Sequence, residues 1–137
     1  MRADPLVPVR AGALYFALVF AAGFVLGAFR TLWLAPRVGD FAAVAVELPV
    51  MLAVAWLACG AVLRWVNPGQ GIEARAIMGL FAFALLMIAE LALALTFGVP
   101  SVAAWLADLV TAPGLLGLAG QIAFANFPLV RQRPASI

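Results

Sequence analysis

Histidine and lysine are both missing from this chain of 137 residues, and cysteine occurs once, as Cys59. Without histidine, the chain lacks the usual base at neutral pH, the commonest metal ligand and the usual haem ligand. The single cysteine lies in an apolar run and is interpreted as a small core residue. No Ser/His/Asp or Cys/His group is available as a nucleophile. We therefore expect a non-enzymatic protein with no metal and no cofactor.

Charged residues are also scarce. They make up 10% of the chain, against about 25% in a typical soluble domain, whereas 67% of the residues are hydrophobic. Too little polar surface remains to cover a water-facing domain, so we expect the lipid bilayer to be the solvent. The net charge of +2 comes from arginines that form no basic run. Nucleic-acid binding, which needs a clustered electrostatic footprint, is therefore not expected.

Long hydrophobic runs are what the sequence does contain. A membrane-spanning helix needs about 20 apolar residues, and prolines, glycines and charges divide the chain into spans at about 12–34, 41–65, 74–97 and 113–130. Pro36 is expected to end the first span, because the residue before a proline is biased away from helix. The sequence thus predicts an all-α integral membrane bundle of four transmembrane helices, forming one domain over residues 1–137.

The region before the last span allows two interpretations. One is a single helix from Ser101 to Leu129, bent at Pro113. The other is a short helix at the membrane surface, over about 101–110, followed by the span. We prefer the second, because one long helix would measure about 43 Å, well beyond a hydrocarbon core of ~30 Å. Pro113 also suits the first position of a helix.

The arginines divide unevenly between the two sides of such a bundle. Four spans place both chain termini on one side, and that side holds six arginines: Arg2, Arg10, Arg64, Arg75, Arg131 and Arg133. The other side holds Arg30 and Arg37. Under the positive-inside rule, this bias predicts that both termini are cytoplasmic.

Apart from Arg64 and Arg75, which lie at span ends, three charged residues lie inside the predicted spans, and they form the candidate polar group. Counting 1.5 Å per helical residue from the span ends puts Arg30, Glu47 and Glu90 all in the outer half of the bilayer. A charge in a bilayer costs about 2.5–3.5 kcal/mol on insertion scales, so we expect Arg30 to meet Glu47, Glu90 or both. This group is either a structural bridge between helices or a protonatable part of a transport path.

Four further residues are secondary candidates. Pro49 lies about two turns from the start of the second span, where it removes a helix hydrogen bond and predicts a kink beside Glu47. Asp108 is expected near the headgroups. Gln121 and Asn126 are five residues apart, so they do not share a helix face, and we expect each to form an interhelical hydrogen bond.

The pattern G-F-V-L-G-A-F-R, followed by A-P-R-V-G-D and V-E-L-P-V-M-L, resembles a set of small four-helix inner-membrane proteins of bacteria. This resemblance covers most of the chain. It implies a bacterial inner (cytoplasmic) membrane location and a four-helix architecture, but no activity. The segment Gly27-Ala28-Phe29-Arg30 is also similar to the small fluoride channels, but residues 78–91 of the third span lack the hydroxyl residues of their third helix.

Two functions remain open from the sequence. Small residues on the first and last spans, including Gly23, Gly27 and the set Ala17, Ala21, Gly117 and Gly120, favour close helix contacts over a wet pore. They suggest an accessory or interaction subunit of a larger membrane complex, or a homo-oligomer. The alternative is a small transporter or channel that uses the intramembrane Arg-Glu group.

Overall fold

A computed structural model describes Asp4 and residues 6–131, and its fold is all-helical. The helices are α1 (Leu6–Phe29), a π-helical turn (Arg30–Leu34), α2 (Ala35–Val38), α3 (Asp40–Trp65), α4 (Ile72–Thr96), α5 (Val102–Leu109) and α6 (Ala112–Val130). Helix accounts for 87% of the structure, and the described residues contain no strand. Four helical segments are long and apolar enough to cross a membrane. The predicted helical class and the number of such segments are therefore confirmed.

The first helical segment is longer than predicted, because it starts at Leu6 rather than near Gly12 and continues to Val38. Pro8 falls in the first turn, where backbone N–H groups have no helical partner in any case. Pro36 does not end the helix. The π-helical turn immediately before it shifts the bonding register, so that the Ala35 N–H bonds the Arg30 carbonyl. The segment ends at Gly39, whose positive φ of 89° suits glycine.

The region after α4 contains two helices, as preferred from the sequence. Ser101 caps α5 by accepting a hydrogen bond from the Ala104 N–H at 3.1 Å. Thr111 caps α6 in the same way, with the Gly114 N–H as donor at 3.2 Å. Each cap satisfies one of the backbone donors that a helix start leaves free. A single helix bent at Pro113 is therefore excluded.

The four long helices pack as a square in which not all helices that follow one another in the chain are neighbours. Helix α1 packs against α3 and α4, and α6 packs against the same two helices. Helices α3 and α4 follow one another in the chain but lie on a diagonal, as do α1 and α6. Arg10, Arg64, Arg75 and Arg131 all fall at one end of this square, which we call the arginine-rich end.

Glycine lets pairs of helices approach closely, and the tightest backbone contacts are at positions that the sequence analysis did not single out. A Cβ atom on Gly12 of α1 would lie 2.7 Å from the Met78 carbonyl oxygen of α4. One on Gly79 of α4 would overlap the Ala125 carbonyl oxygen of α6. At Gly23 the nearest atom is the flexible Met51 methyl group, at 3.3 Å, and at Gly27 it belongs to Arg30 of the same helical segment. Of the predicted pair, Gly23 therefore meets a side chain of α3, whereas Gly27 meets no other helix.

Gly79→Ala is expected to lower the free energy of unfolding by about 1–3 kcal/mol, as overpacking of a tight contact generally does. The new methyl group can be accommodated only if α4 and α6 separate. Gly117→Ala in α6 is the matched control, because a Cβ there meets no atom within 4 Å. Equilibrium unfolding in detergent measures both variants. Equal stability of the two would contradict the close contact.

Candidate functional site

The Arg30–Glu47 ion pair joins the first helical segment to α3. Arg30 opens the π-helical turn, and its Nη1 donates to the Glu47 Oε2 at 2.5 Å. The Arg30 side chain is 34% exposed, whereas the Glu47 side chain is 12% exposed. The contact predicted between Arg30 and a spanning carboxylate is therefore present, with Glu47 as the partner.

A cavity of about 120 Å³ lies beside this ion pair. It is open on one side, and we call it the Arg30 groove. Its lining residues are Leu26, Phe29, Arg30, Leu34, Val46, Glu47 and Val50. The walls are almost entirely apolar, and the ion pair presents next to no polar surface to the cavity. The groove is therefore suited to an apolar group.

Glu90 bonds Gln121 instead of Arg30. The Gln121 Nε2 lies 2.6 Å from each carboxylate oxygen of Glu90, which ties α4 to α6. The expected interhelical hydrogen bond of Gln121 is thus present, and its partner is a second candidate residue. Glu90 is still within electrostatic range of Arg30 and Glu47. The predicted polar group therefore consists of two neighbouring pairs.

The remaining secondary candidates lie outside these pairs. Asn126 is exposed, and its amide donates to the Ile122 carbonyl of its own helix at 2.7 Å. The expected interhelical bond of Asn126 is therefore wrong. Asp108 is exposed near the end of α5, and its carbonyl oxygen accepts a bond from the Thr111 hydroxyl. Helix α3 continues through Pro49, whose side chain is exposed.

Tyr15 forms a polar contact across the diagonal between α1 and α6, and the sequence analysis missed it. Its hydroxyl donates to the Phe124 carbonyl oxygen at 2.7 Å, and the two rings stack with centroids 4.3 Å apart. Pro128, four residues after Phe124, has no N–H to bond that carbonyl. The fully buried tyrosine therefore satisfies an acceptor that the helix itself leaves free.

Tyr15→Phe is expected to lower the free energy of unfolding by about 0.5–1.5 kcal/mol, the net value of one hydrogen bond. The phenyl ring preserves the stack with Phe124, so only the hydroxyl is tested. In a Pro128→Ala background, the restored backbone N–H of residue 128 can donate to the Phe124 carbonyl as an ordinary helical hydrogen bond. The decrease in unfolding free energy caused by Tyr15→Phe should then be smaller. A double-mutant cycle in detergent measures this coupling. An unchanged loss in that background would contradict the proline explanation.

Arg75 is the most extensively bonded polar side chain at the arginine-rich end, and the sequence analysis counted it only as a topology signal. It is 4% exposed. Its Nη1 donates to the carbonyls of Pro128 and Arg131 at the end of α6, at 2.7 and 2.6 Å. Its Nε and Nη2 donate to the Gly69 carbonyl and the Gln70 amide oxygen in the α3–α4 loop. One side chain thus fastens that loop to the end of α6.

Arg131 occupies the same end of the bundle. Its guanidinium lies 4.8 Å from the centroid of the Trp56 ring and packs against Gly60, where a Cβ would overlap it. The guanidinium is thereby held between an aromatic face and the α3 backbone, a favourable arrangement for a cation. Gly60 is needed here for space rather than for backbone conformation.

The polar contacts are thus distributed among different helix pairs rather than gathered around one reactive centre. Arg30–Glu47 joins α3 to the turn after α1, Glu90–Gln121 joins α4 to α6, and Tyr15 crosses to α6. Among the residues that the structure describes, no three His, Cys, Asp or Glu side chains are grouped so as to hold a metal ion. Comparisons with protein-family models, curated proteins and solved structures found no match to this chain.

Proposed function

We propose that this chain is a non-enzymatic, multi-pass protein of a bacterial inner membrane, with both termini cytoplasmic. It acts as an accessory or interaction subunit of a larger membrane complex or as a homo-oligomer. One observation carries the proposal: the charged and amide groups of Arg30, Glu47, Glu90 and Gln121 bond other helices of the same chain. These groups are used to hold the bundle together. The surface left for other molecules is mainly apolar.

The location and orientation rest on composition and on the position of the arginines. Arg10, Arg64, Arg75 and Arg131 lie at one end of the square, and Arg30 and Arg37 lie in the segment approaching the other end. Arg2 and Arg133 fall outside the described residues. Under the positive-inside rule, the arginine-rich end faces the cytoplasm. We place α5 at the opposite membrane surface, because it is too short to span.

Single cysteines test this orientation in a Cys59→Ala background. Gly71→Cys lies in the α3–α4 loop, and Val38→Cys lies at the end of α2; both positions are exposed. In intact cells, a membrane-impermeant thiol reagent is expected to label the Val38 variant and leave the Gly71 variant unlabelled until the membrane is permeabilised. The reverse pattern would overturn the orientation.

The interaction role draws support from small residues that face outward. Ala17 and Ala21 of α1 are exposed, and a Cβ on Gly117 of α6 would meet nothing within 4 Å. Gly120 is different, because Leu48 of α3 occupies the space beside it. Small outward residues allow another helix to approach closely in a bilayer.

Purification in mild detergent followed by mass spectrometry tests the role directly. We expect either a foreign subunit in fixed stoichiometry or a homo-oligomer of defined mass. A photo-crosslinking residue at Ala21 should capture that partner, whereas one at Leu57, an exposed position on α3, serves as a comparison. A monomer that crosslinks to no protein from Ala21 would contradict the proposal.

A transporter or channel is the second candidate, favoured by the cavity beside Arg30 and the proximity of Glu90 to the ion pair. Against it, the described core contains mostly apolar side chains, including Val62, Leu63 and Met78. In reconstituted vesicles, this candidate predicts an ion or solute flux that Glu90→Gln abolishes. Glu73→Gln, at an exposed position of α4, is the matched control and should leave the flux unchanged.

A further inference from the structure

The Glu90–Gln121 contact between α4 and α6 leaves one buried polar atom without a hydrogen bond. The Gln121 Nε2 lies 2.6 Å from each carboxylate oxygen of Glu90. Among the residues that the structure describes, the Gln121 Oε1 is buried and has no hydrogen-bond partner. Buried polar groups are generally hydrogen-bonded, and an unpaired one lowers stability. A fully satisfied contact therefore needs a donor for the Gln121 Oε1.

The protonation state of Glu90 decides whether it can be that donor. An ionised carboxylate has only acceptor oxygens, whereas a protonated carboxyl group has one O–H donor and keeps an acceptor oxygen. The Gln121 amide likewise has both a donor and an acceptor. A neutral Glu90 and Gln121 are thus complementary, because each can donate to the other. An ionised Glu90 can use only the amide nitrogen and leaves the amide oxygen unpaired.

The charged groups near Glu90 do not give it a hydrogen-bonded counter-charge. Arg30 and Glu47 are within electrostatic range of Glu90, and their opposite charges act on it in opposite directions. Arg30 donates its hydrogen bond to Glu47, so these two residues form their own ion pair. A carboxylate in a bilayer without a bonded cation is costly, and a group in this position generally becomes neutral instead.

The other titratable side chains around α4 form no bond with Glu90 in the described part of the chain. Helix α4 packs against α1, α5 and α6, and α6 contains no titratable residue. The remaining titratable residues of these helices are Arg10, Tyr15, Glu73, Arg75 and Asp108. The hydroxyl of Tyr15 bonds a backbone carbonyl, and the side chain of Asp108 is exposed. The other three lie at the arginine-rich end, whereas Glu90 lies in the other half of α4.

We propose that Glu90 binds one proton in the folded protein at neutral pH and forms a reciprocal acid–amide pair with Gln121. The Glu90 hydroxyl donates to the Gln121 Oε1, and the Gln121 Nε2 donates to the other Glu90 oxygen. The terminal torsions of both side chains are soft, so the amide can turn from its contact with both oxygens into this arrangement. The pair holds α4 to α6 without a net charge. It depends on neither the accessory role nor the transporter role.

The bound proton links the α4–α6 contact to pH. The folded protein then binds one proton more than the unfolded chain, in which an exposed glutamate is ionised at neutral pH, so stability falls as pH rises. The unfolding equilibrium constant should increase by up to about tenfold per pH unit, from about pH 5 to the pH at which folded Glu90 releases its proton to solvent. The chain has no histidine, so few other groups titrate in this range.

Infrared spectroscopy of the detergent-solubilised protein at neutral pH tests the proton directly. The C=O stretch of a protonated carboxyl group is separate from the carboxylate and amide bands. We expect one such band in the original protein and its loss in Glu90→Gln. Glu73→Gln is the matched control, at an exposed position of the same helix, and should keep the band. The absence of the band from the original protein, or its survival in Glu90→Gln, would overturn the proposal.

Gln121→Met tests the partner, because methionine keeps a long unbranched side chain but cannot accept the Glu90 proton in a strong hydrogen bond. The protonated-carboxyl band is expected to shift to a higher frequency. Asn126→Met is the matched control on α6, since Asn126 bonds its own helix, and should leave the band in place. An unchanged band in Gln121→Met would show that the acid and the amide are not paired.

Equilibrium unfolding in detergent at a series of pH values gives a second readout. The original protein and Glu73→Gln should lose stability as pH rises above about 5. Glu90→Gln should lose this dependence, because its amide stays neutral and can pair with Gln121 in the same reciprocal way. An equal pH dependence in Glu90→Gln and the original protein would contradict a proton on Glu90.

These measurements separate the proton site from the proposed function. A monomeric protein that shows the Glu90 band supports this site and contradicts the accessory role. A protein that shows the band but carries no flux supports this site and contradicts the transporter candidate. An oligomer or a foreign complex in which the band is absent contradicts this site alone.

Discussion

Arg75→Met is expected to lower the free energy of unfolding by about 3–5 kcal/mol, one of the two largest effects of a single substitution in this chain. The guanidinium bonds four acceptors, and a hydrogen bond to a charged group contributes about 1.5–3 kcal/mol. Its loss leaves the Pro128 and Arg131 carbonyls at the end of α6 without their bonds to Arg75. It also releases the loop that leads from α3 to the diagonally opposite α4.

Equilibrium unfolding in mixed detergent micelles measures this loss, and two variants control it. Arg64→Met removes an exposed arginine at the same end of the bundle and should change stability by less than about 0.5 kcal/mol. Arg75→Lys keeps the charge but cannot reproduce the planar fork, so we expect only partial recovery. If Arg75→Met were as stable as Arg64→Met, the fastening role of Arg75 would be wrong.

Arg75 shows why part of the arrangement could not be predicted from the sequence. A lone arginine at the start of an apolar helix has the same pattern whether it lies in water or is buried. Its burial depends on the end of α6, more than 50 residues away in sequence, folding back beside the α3–α4 loop. Local periodicity carries no information about such a contact, and neither does the positive-inside rule.

The long helices were predictable because length and hydrophobicity set them locally. The structure has α3, α4, α5 and α6 at Asp40–Trp65, Ile72–Thr96, Val102–Leu109 and Ala112–Val130, each within two residues of the predicted bounds. The exception is the first segment, where Pro36 was given too much weight. A proline breaks a helix through its missing N–H, and the π-helical turn before Pro36 changes the local bonding register.

Which helices pack against one another was harder to predict from the sequence. Four apolar spans can be arranged in several squares, and nothing local places α3 diagonally from α4. The glycines illustrate the difficulty, since Gly79 forms a close backbone contact between helices, whereas Gly27 of the Gly23-x-x-x-Gly27 pattern meets no other helix. One signal was available and unused: Pro128 inside an apolar helix implies a free carbonyl at Phe124. A buried donor such as Tyr15 was therefore to be expected.

The Arg30–Glu47 contact was predictable for the opposite reason, because a bilayer penalises an isolated charge wherever it lies in the sequence. Similar depth and opposite charge were enough to relate the two residues. That the partner of Arg30 is Glu47 rather than Glu90 could not be predicted, since it depends on which helices are neighbours. Helix α3 adjoins the π-helical turn, whereas Glu90 on α4 bonds Gln121.

Arg30→Leu is expected to lower the free energy of unfolding by about 3 kcal/mol, because it leaves the Glu47 carboxylate without its partner in a mostly buried position. The expected value is at the low end for a buried pair, since Arg30 is 34% exposed and solvent or headgroups weaken its contribution. Glu47→Leu should be destabilising for the same reason, with Arg30 left unpaired. Equilibrium unfolding in detergent measures each single variant.

The double variant Arg30→Leu/Glu47→Leu decides what the pair contributes. Replacing both partners of a buried ion pair with apolar residues is often neutral or stabilising, because neither charge then has to be desolvated. We therefore expect the double variant to lie within about 1 kcal/mol of the original protein and above both single variants. If the decrease in unfolding free energy of the double variant equals the sum of those of the two single variants, Arg30 and Glu47 act independently. The proposed bridge between the first helical segment and α3 would then be wrong.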